Sequence, residues 1–452
     1  MKTVLPPNLT TSTELDMAAL RDRLNGILTS HVVSPEDAEP RNKLLAAAFV
    51  VVNKDGTMYS NAVGRLDFAT DTGSYTTSSI SWIASMTKLL TATCLLQLVE
   101  KGTLSLDQDI RPLVPQLAHM QILRGFDASD KPILEANDRP ITLRHLLTHT
   151  LGLGYDLADP DLMKWSKSVG RIANNLVWSL EGFKTPLKFA PGDGWLRSLF
   201  REPDTSSTCF GIPKSYLLRT ITNLDSIPDY GSAYDWAGHL LTLVTGHSLS
   251  DYMAEHIFKP LGIESTTFWP KRVDPDGSRT LAFAFAGEGS DGAGLLRPGP
   301  SPVPEDHEME SGGAGLHSTP EDYARFLHGI LSHKLLSTRA TDLLFSPQLN
   351  STQKDMLTLI AEAAHDAFIP ELGRGAELNH GLGGLINMTD IDGKRRKGSM
   401  MWSGMSNGRW WIDRATGIAG AVFTNVLPHG NQVLTGMWDE LETAVYDELA
   451  EA

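Results

Sequence analysis

Strand-like runs lie at both ends of this 452-residue chain, and few lie between them. Residues 46–53 and 58–64 read as strands separated by Lys-Asp-Gly, a hairpin signature. Strand-like runs return at 382–388, 409–413 and 418–425, and a terminal helix over about 434–449 follows. From about 113 to 310 the texture is helical and loop-rich. That distribution points to one antiparallel sheet built from both ends, with a helical lobe inserted in the middle. The expected fold is mixed α/β (α+β), with residues 1–112 and 310–452 forming the sheet lobe and 113–309 the helical lobe.

Helix signals sharpen this outline. Residues 14–30 carry apolar positions at helical spacing after a Thr-Ser-Thr start. Residues 85–101 read as a long, mostly apolar helix stopped by Gly102. Thr319-Pro320-Glu321-Asp322 reads as an N-cap, a proline at the first helical position and an acidic first turn, for a helix running to Leu331. The stretch 287–306, rich in glycine and proline, reads as a long loop.

Composition removes several function classes. A chain of this length buries about three quarters of its surface and needs no disulfide staples. It has two cysteines, Cys94 and Cys209, and Cys94 falls in an apolar helical run, so a reduced, intracellular protein is expected. The net charge of −15 argues against a nucleic-acid partner. The beginning, MKTVLPPNLTTSTELDM, has no apolar core of a signal peptide, and the longest apolar run, 44–52, is too short to span a bilayer. Neither secretion nor membrane insertion is expected. Charged residues at 21% and hydrophobic ones at 41% exclude wholesale disorder.

The chemistry centres on Ser85-Met86-Thr87-Lys88. On a helix, positions i and i+3 share a face, so the Lys88 amine reaches the Ser85 hydroxyl. A serine needs such a partner, because an alcohol is a weak nucleophile at neutral pH. The following Leu89-Leu90-Thr91-Ala92 surrounds the amine with apolar surface, which lowers its pKa toward that of a usable base. Backbone N–H groups of the first turn can stabilise an oxyanion. The pattern is short, and by itself it is also what a chance pair on a capped helix looks like.

The context around it is larger. SWIASMTKLLTATCLLQLVEKGTLSLDQDI resembles the nucleophile helix of the class C β-lactamase and penicillin-binding-protein-like serine hydrolases. ITLRHLLTHTLGLGYD, FAPGDGW, YGSAYDWAGHLLTLVTGHSL, IFKPLGIESTTF, GGAGLHSTPEDYARFL and WSGMSNGRWWID follow in that family's order. The resemblance spans about residues 44–445. Within the family it is strongest to the fungal acyltransferases of the lovastatin pathway, through GFDASDKPILEANDRPITLRHLLTHT, YGSAYDWAG, HGLGGL and DIDGKRRKGS.

The resemblance implies a β-lactamase/transpeptidase-like fold, a helix-flanked antiparallel sheet plus an all-helical lobe. It implies Ser85 as nucleophile, Lys88 as its proton partner, and Tyr230 as the second-motif tyrosine that shuttles the proton. Trp402-Ser403-Gly404 would occupy the third motif on an edge strand, and the backbone N–H groups of Ser85 and Met405 would form the oxyanion hole. Two departures matter. The family's third motif usually carries a lysine for a substrate carboxylate, and Trp402 stands there. The second motif usually ends in asparagine, and Ser232 stands there. Both argue against β-lactam recognition and toward the esterase and acyltransferase branches. In addition, an insertion, 196–229, separates Trp195 from Tyr230, and reads either as a lid or pocket wall or as a surface excursion.

Other motifs fail on context. Gly404-Met405-Ser406-Asn407-Gly408 matches a G-x-S-x-G nucleophile elbow, but a strand-like run follows it where an elbow needs a helix. Residues 287–292 fit G-x-G-x-x-G, but a proline-rich loop follows. His145 and His149 are spaced i, i+4 without the glutamate of a metalloprotease, so no metal and no cofactor is expected. The basic run Lys394-Arg395-Arg396-Lys397 reads as a solvated turn or as a docking point for an acidic acyl carrier protein.

The sequence therefore points to an intracellular serine acyltransferase of secondary metabolism. It would take an acyl group from a thioester, for instance on the carrier protein of a polyketide synthase, and pass it to an alcohol or amine of a small apolar acceptor. The rivals are a hydrolase using the same residues and a catalytically silent binding protein.

Overall fold

A computed structural model describes residues 17–37, 39–195, 231–287 and 294–451. Helix α1 (Met17–His31) precedes a hairpin of β1 (Ala46–Asn53) and β2 (Gly56–Gly64). Asn53 closes the hairpin by accepting from the Asp55 and Gly56 amides, so β2 begins two residues earlier than the sequence suggests. Strand β1 reads AAAFVVVN and is buried along nearly its whole length, as expected of a central strand covered on both faces.

Helix α2, which follows Ser85, spans Thr87–Glu100. Strands β3 (Gln121–Phe126) and β4 (Pro132–Ala136) then form a two-stranded hairpin inside the middle region expected to be all helical. Its turn is held by Asp127, which accepts from the Ser129 and Lys131 amides, the local bonding that makes aspartate a turn residue. Helix α3 (Ala233–Thr245) and helix α4 (Pro320–Leu331) follow. Thr319 caps α4 by accepting from the Asp322 amide, so the helix starts and stops where the cap and proline place it.

The remaining strands of the main sheet are β5 (Leu378–His380), β6 (Leu385–Asn387), β7 (Met400–Ser403), β8 (Arg409–Asp413) and β9 (Ile418–Phe423), before the terminal helix α5 (Gln432–Glu451). The run 382–388 thus forms a shorter strand than expected, 385–387, with β5 added before it. Three glycines at 381, 383 and 384 turn the chain, and Gly381 donates to the Gly384 carbonyl. A Cβ at Gly381 would lie 2.6 Å from the Leu344 carbonyl, which no ordinary strand residue tolerates.

The sheet has seven antiparallel strands in the order β2-β1-β9-β8-β7-β6-β5. On one face Phe49 and Trp411 meet Trp438 of α5. Trp411 lies across Gly420, where a Cβ would come within 2.2 Å of the indole. On the other face Phe423 meets Tyr323 of α4. Two layers of helix therefore cover a sheet whose β7 end borders the cleft described next.

The basic run does not form an open patch. Arg395 is buried and forms a two-bond pair with Glu442 at 2.5 and 2.8 Å. Lys394 pairs with Asp439. Arg396 and Lys397 stay exposed at this turn, so only half of the run is drawn under the sheet, and the local composition gave no sign of the Arg395 partner 47 residues away.

Candidate active site

The segment before α2 fixes Ser85, the candidate nucleophile. Ser81–Trp82 pairs with His317–Ser318 as a short antiparallel ladder. The chain then bends through Ala84, whose φ of 45° is in the left-handed region, and makes one tight turn over Ala84–Met86 before α2 begins. The helix therefore starts at Thr87, two residues past Ser85. A left-handed alanine costs roughly 1–2 kcal/mol and persists only where its surroundings impose it. Here it turns the chain from strand into helix at the serine.

Lys88 donates from Nζ to Ser85 Oγ at 2.9 Å and to the Gly313 carbonyl at 2.7 Å. Both residues are buried. Burial brings the Lys88 pKa down to about 7, and the nearby Asp235 charge opposes that fall. A neutral amine within hydrogen-bond reach of a serine hydroxyl is what activation of that hydroxyl requires.

A glycine-rich loop presses against this pair. Gly312 accepts from Thr91 Oγ1, and the Leu316 amide donates to Thr87 Oγ1. A Cβ at Gly312 would lie 2.5 Å from the Tyr234 carbonyl, so only glycine lets the loop lie between α2 and α3. Asp235 of α3 accepts from Ser311 Oγ at 2.5 Å and from the Gly313 amide at 3.1 Å. Sequence reasoning did not single out Asp235, Ser311 or Gly313. The available signals were the glycine run at 312–315 and an acid inside YGSAYDWAG, but only the fold joins them.

The third-motif residues come to the same place. Trp402 lies on β7 opposite Trp410, its indole stacked on His149 at 5.7 Å and edge-on to Phe368 and His380. Gly404 approaches the nucleophile segment so closely that a Cβ would lie 2.6 Å from the Ile83 carbonyl. The turn 404–408 is fastened from three sides. Ser406 Oγ donates to the Trp82 carbonyl. Asn407 donates to the Val426 and Pro428 carbonyls and accepts from the Gly430 and Asn431 amides. His429 Nδ1 donates to the Gly404 carbonyl at 3.0 Å. Ser406 is wholly buried, and β8 follows it, so G-x-S-x-G here is the fastening of a turn beside the serine.

Ser85, Trp402, Ser403, Gly404 and Met405 all line one cleft of about 1070 Å³, open mouth included. Trp82, Tyr155, Leu157, Leu176, Trp178, Phe183, Val303 and Phe368 make most of its wall apolar, and Asp235, Ser311 and His429 add polar groups. Ser232 does not join them. It is wholly buried before α3, where Gly231 packs so tightly that a Cβ would lie 2.3 Å from the Leu153 carbonyl. Tyr230, the insertion 196–229, Cys209 and most of the G-x-G-x-x-G stretch lie outside the described residues.

His149 turns at φ 57° onto Tyr234 and Trp402, away from any ligand set with His145. Among the described residues no cluster of three or more His, Cys, Asp or Glu side chains could hold a metal.

Trp402 is not on the edge strand expected of it but on β7, third from the edge because β6 and β5 pair beyond it. A buried Ser–Lys pair just before a helix, beside this antiparallel sheet and under an apolar cleft, suits a serine hydrolase-like acyl-transfer enzyme. The chain belongs to the beta-lactamase family, whose model matches residues 32–196 and 231–439. It is 31% identical over 381 residues to the monacolin J acid methylbutanoyltransferase of Aspergillus terreus, covering 80% of this chain and 81% of that protein. It is 29% identical over 386 residues to the lovastatin esterase of Penicillium rubens, covering 81% and 85%. Among solved structures it resembles the LovD6 mutant of simvastatin synthase from Aspergillus terreus, with a TM-score of 0.79, 28% identity, and coverage of 99% and 100%. The β-lactamase/transpeptidase-like fold expected from the motifs is the fold observed.

Proposed function

We propose that this enzyme is a serine acyltransferase that moves an acyl group through Ser85 to a hydroxyl or amine of a small, largely apolar acceptor. The observation that carries the reading is the 2.9 Å Lys88–Ser85 bond, made by an amine whose pKa is near 7 at the edge of an apolar cleft. Neutral Lys88 takes the Ser85 proton as Oγ attacks the acyl carbonyl. The amides of Ser85 and Met405 receive the oxyanion, and Tyr230 returns a proton to the departing thiol or alcohol. The acceptor then loses its proton to the Tyr230 phenolate as it attacks the acyl-enzyme, and Lys88 returns its proton to Ser85 Oγ. Trp402, Ser403 and Gly404 contact the substrate.

The donor in this reading is an acyl thioester, free or on a carrier protein, and the acceptor a secondary metabolite. The relatives named for acyl transfer to statin precursors support that class. The sheet lobe (1–112 with 310–452) and the helical lobe (113–309) would meet at the cleft, whose wall draws on both. A reduced compartment suits the free, buried Cys94, and no helix among the described residues is long and apolar enough to cross a membrane.

Incubation with a butyryl thioester should add one butyryl mass to Ser85, and Ser85→Ala should abolish it. A label on Ser406 would overturn the assignment. The lovastatin esterase relative favours a second reading, transfer to water. Counting free acid against acylated alcohol from one donor separates the two.

A further inference from the structure

Asp235 is almost completely buried, yet nothing in the acyl-transfer reading uses it. It is the third residue of α3, a helix of 13 residues, where an acid ordinarily serves the helix dipole. Here its Oδ1 is directed across to another segment. It accepts from Ser311 Oγ at 2.5 Å and from the Gly313 amide at 3.1 Å. The carbonyl of that same Gly313 accepts from Lys88 Nζ at 2.7 Å. One peptide unit thus separates the carboxylate's grip from the lysine's. A Cβ at Gly313 would lie 3.1 Å from Asp235 Oδ2, so the loop has no slack there.

We propose that Asp235 is a positioning residue for Lys88: through Ser311 and Gly313 its carboxylate fixes the carbonyl that aims the amine at Ser85, and its charge sets the pH at which that amine becomes a base. The proposal rests on the assignment of Ser85 as nucleophile and Lys88 as base.

Electrostatics support the geometry. Among the described residues, the Asp235 charge raises the Lys88 pKa against burial. Burial raises the Asp235 pKa in turn, while Ser311, Lys88 and the Gly313 amide lower it. The other titratable groups near Lys88 differ in kind. The Tyr234 ring face lies 5.6 Å from Nζ, but its hydroxyl turns away to the Leu147 and Leu382 carbonyls and burial keeps it protonated. His149 lies beside that ring at 5.2 Å. Glu310, next to Ser311, turns away to Ser250 and Trp269.

The sign follows. Protonated Lys88 cannot accept the Ser85 proton, so kcat/KM rises with pH as Lys88 deprotonates. A nearby carboxylate favours the ammonium, so removing its charge moves that rise to lower pH. A partner charge within 4–6 Å shifts a pKa by about 1–3 units.

The test is the pH dependence of p-nitrophenyl butyrate cleavage. Asp235→Asn keeps an acceptor for Ser311 and Gly313, and should move the acidic limb down by about one pH unit. Ser311→Ala, a milder change, loosens the carboxylate and should move the limb the same way by less. It keeps the test open if the first variant does not fold. An acidic limb that stays in place in every variant that turns over, or moves upward, overturns the proposal. Failure of the underlying reading shows differently: Ser85 of the wild-type enzyme would not be labelled by a fluorophosphonate.

Discussion

Two regions of this molecule bury charge, and they do so in opposite ways. Under the sheet, Arg395 forms a two-bond pair with Glu442, and Arg409 pairs with Glu371 at 2.9 Å. All four side chains are buried, and each cation has a full anion in direct contact. Burial lowers the Arg395 pKa, but the pairing with Glu442 more than restores it, so its charge is secure. At the cleft, Lys88 bonds to a hydroxyl and a carbonyl, which carry only partial charge, and its anion acts from behind a peptide unit. Its pKa therefore falls to about 7. The two-bond pair with Glu442 keeps Arg395 firmly charged, the single Glu371 contact does not offset burial at Arg409, whose pKa is lowered, and the burial of Lys88 brings it within reach of titration.

Substitutions can break that contrast. Lys88→Met should lower the rate of Ser85 acylation by about 10²–10⁴-fold, the range for a lost general base. The thermal midpoint should fall as well, since Asp235 stays buried without the cation that lowers its pKa, so the rate is compared per folded molecule. Tyr230→Phe keeps the ring and removes the ionisable oxygen, and turnover should fall by about 10²-fold. Wild-type turnover in either variant would show that another group moves the proton.

Glu442→Ala is the opposite experiment. It strands Arg395, and urea unfolding should show a loss of about 3–5 kcal/mol. The rate of Ser85 labelling per folded molecule should not change. The smallest effect concerns wild-type pH dependence: kcat/KM for p-nitrophenyl butyrate should rise as pH increases through about 7, because deprotonated Lys88 is the active form. A flat profile from pH 5 to 9 would mean that Lys88 has the protected character of Arg395.

Much of this was legible from local signals. The cap at Thr319, the proline after it and the strand-like run at 409–413 each act within a few residues, and α4 and β8 fall where they predict. Ser85 and Lys88 are one helical turn apart, and they meet. What escaped depends on contacts between distant segments. The β5–β6 break comes from glycines packed on Leu344 and Met400. Four consecutive basic residues look solvated until α5 brings Glu442 over Arg395. Asp235 looks like a helix-start acid until the 311–313 loop closes on it. The Trp402 indole was read as a missing lysine, and its stacking on His149 required the folded chain.

The left-handed Ala84 has a consequence for how this enzyme can change. A glycine there would adopt the same backbone without penalty, and by that measure Ala84→Gly is a stabilising step open to any lineage or library. Yet Ala84 lines the cleft beside Ser85, and a glycine there would give the turn that carries Ser85 more conformational freedom. Selection for heat tolerance alone would drift toward glycine and lose rate, whereas selection for turnover would hold alanine at a standing cost in stability. The residue at position 84 therefore records which of the two pressures has governed this chain.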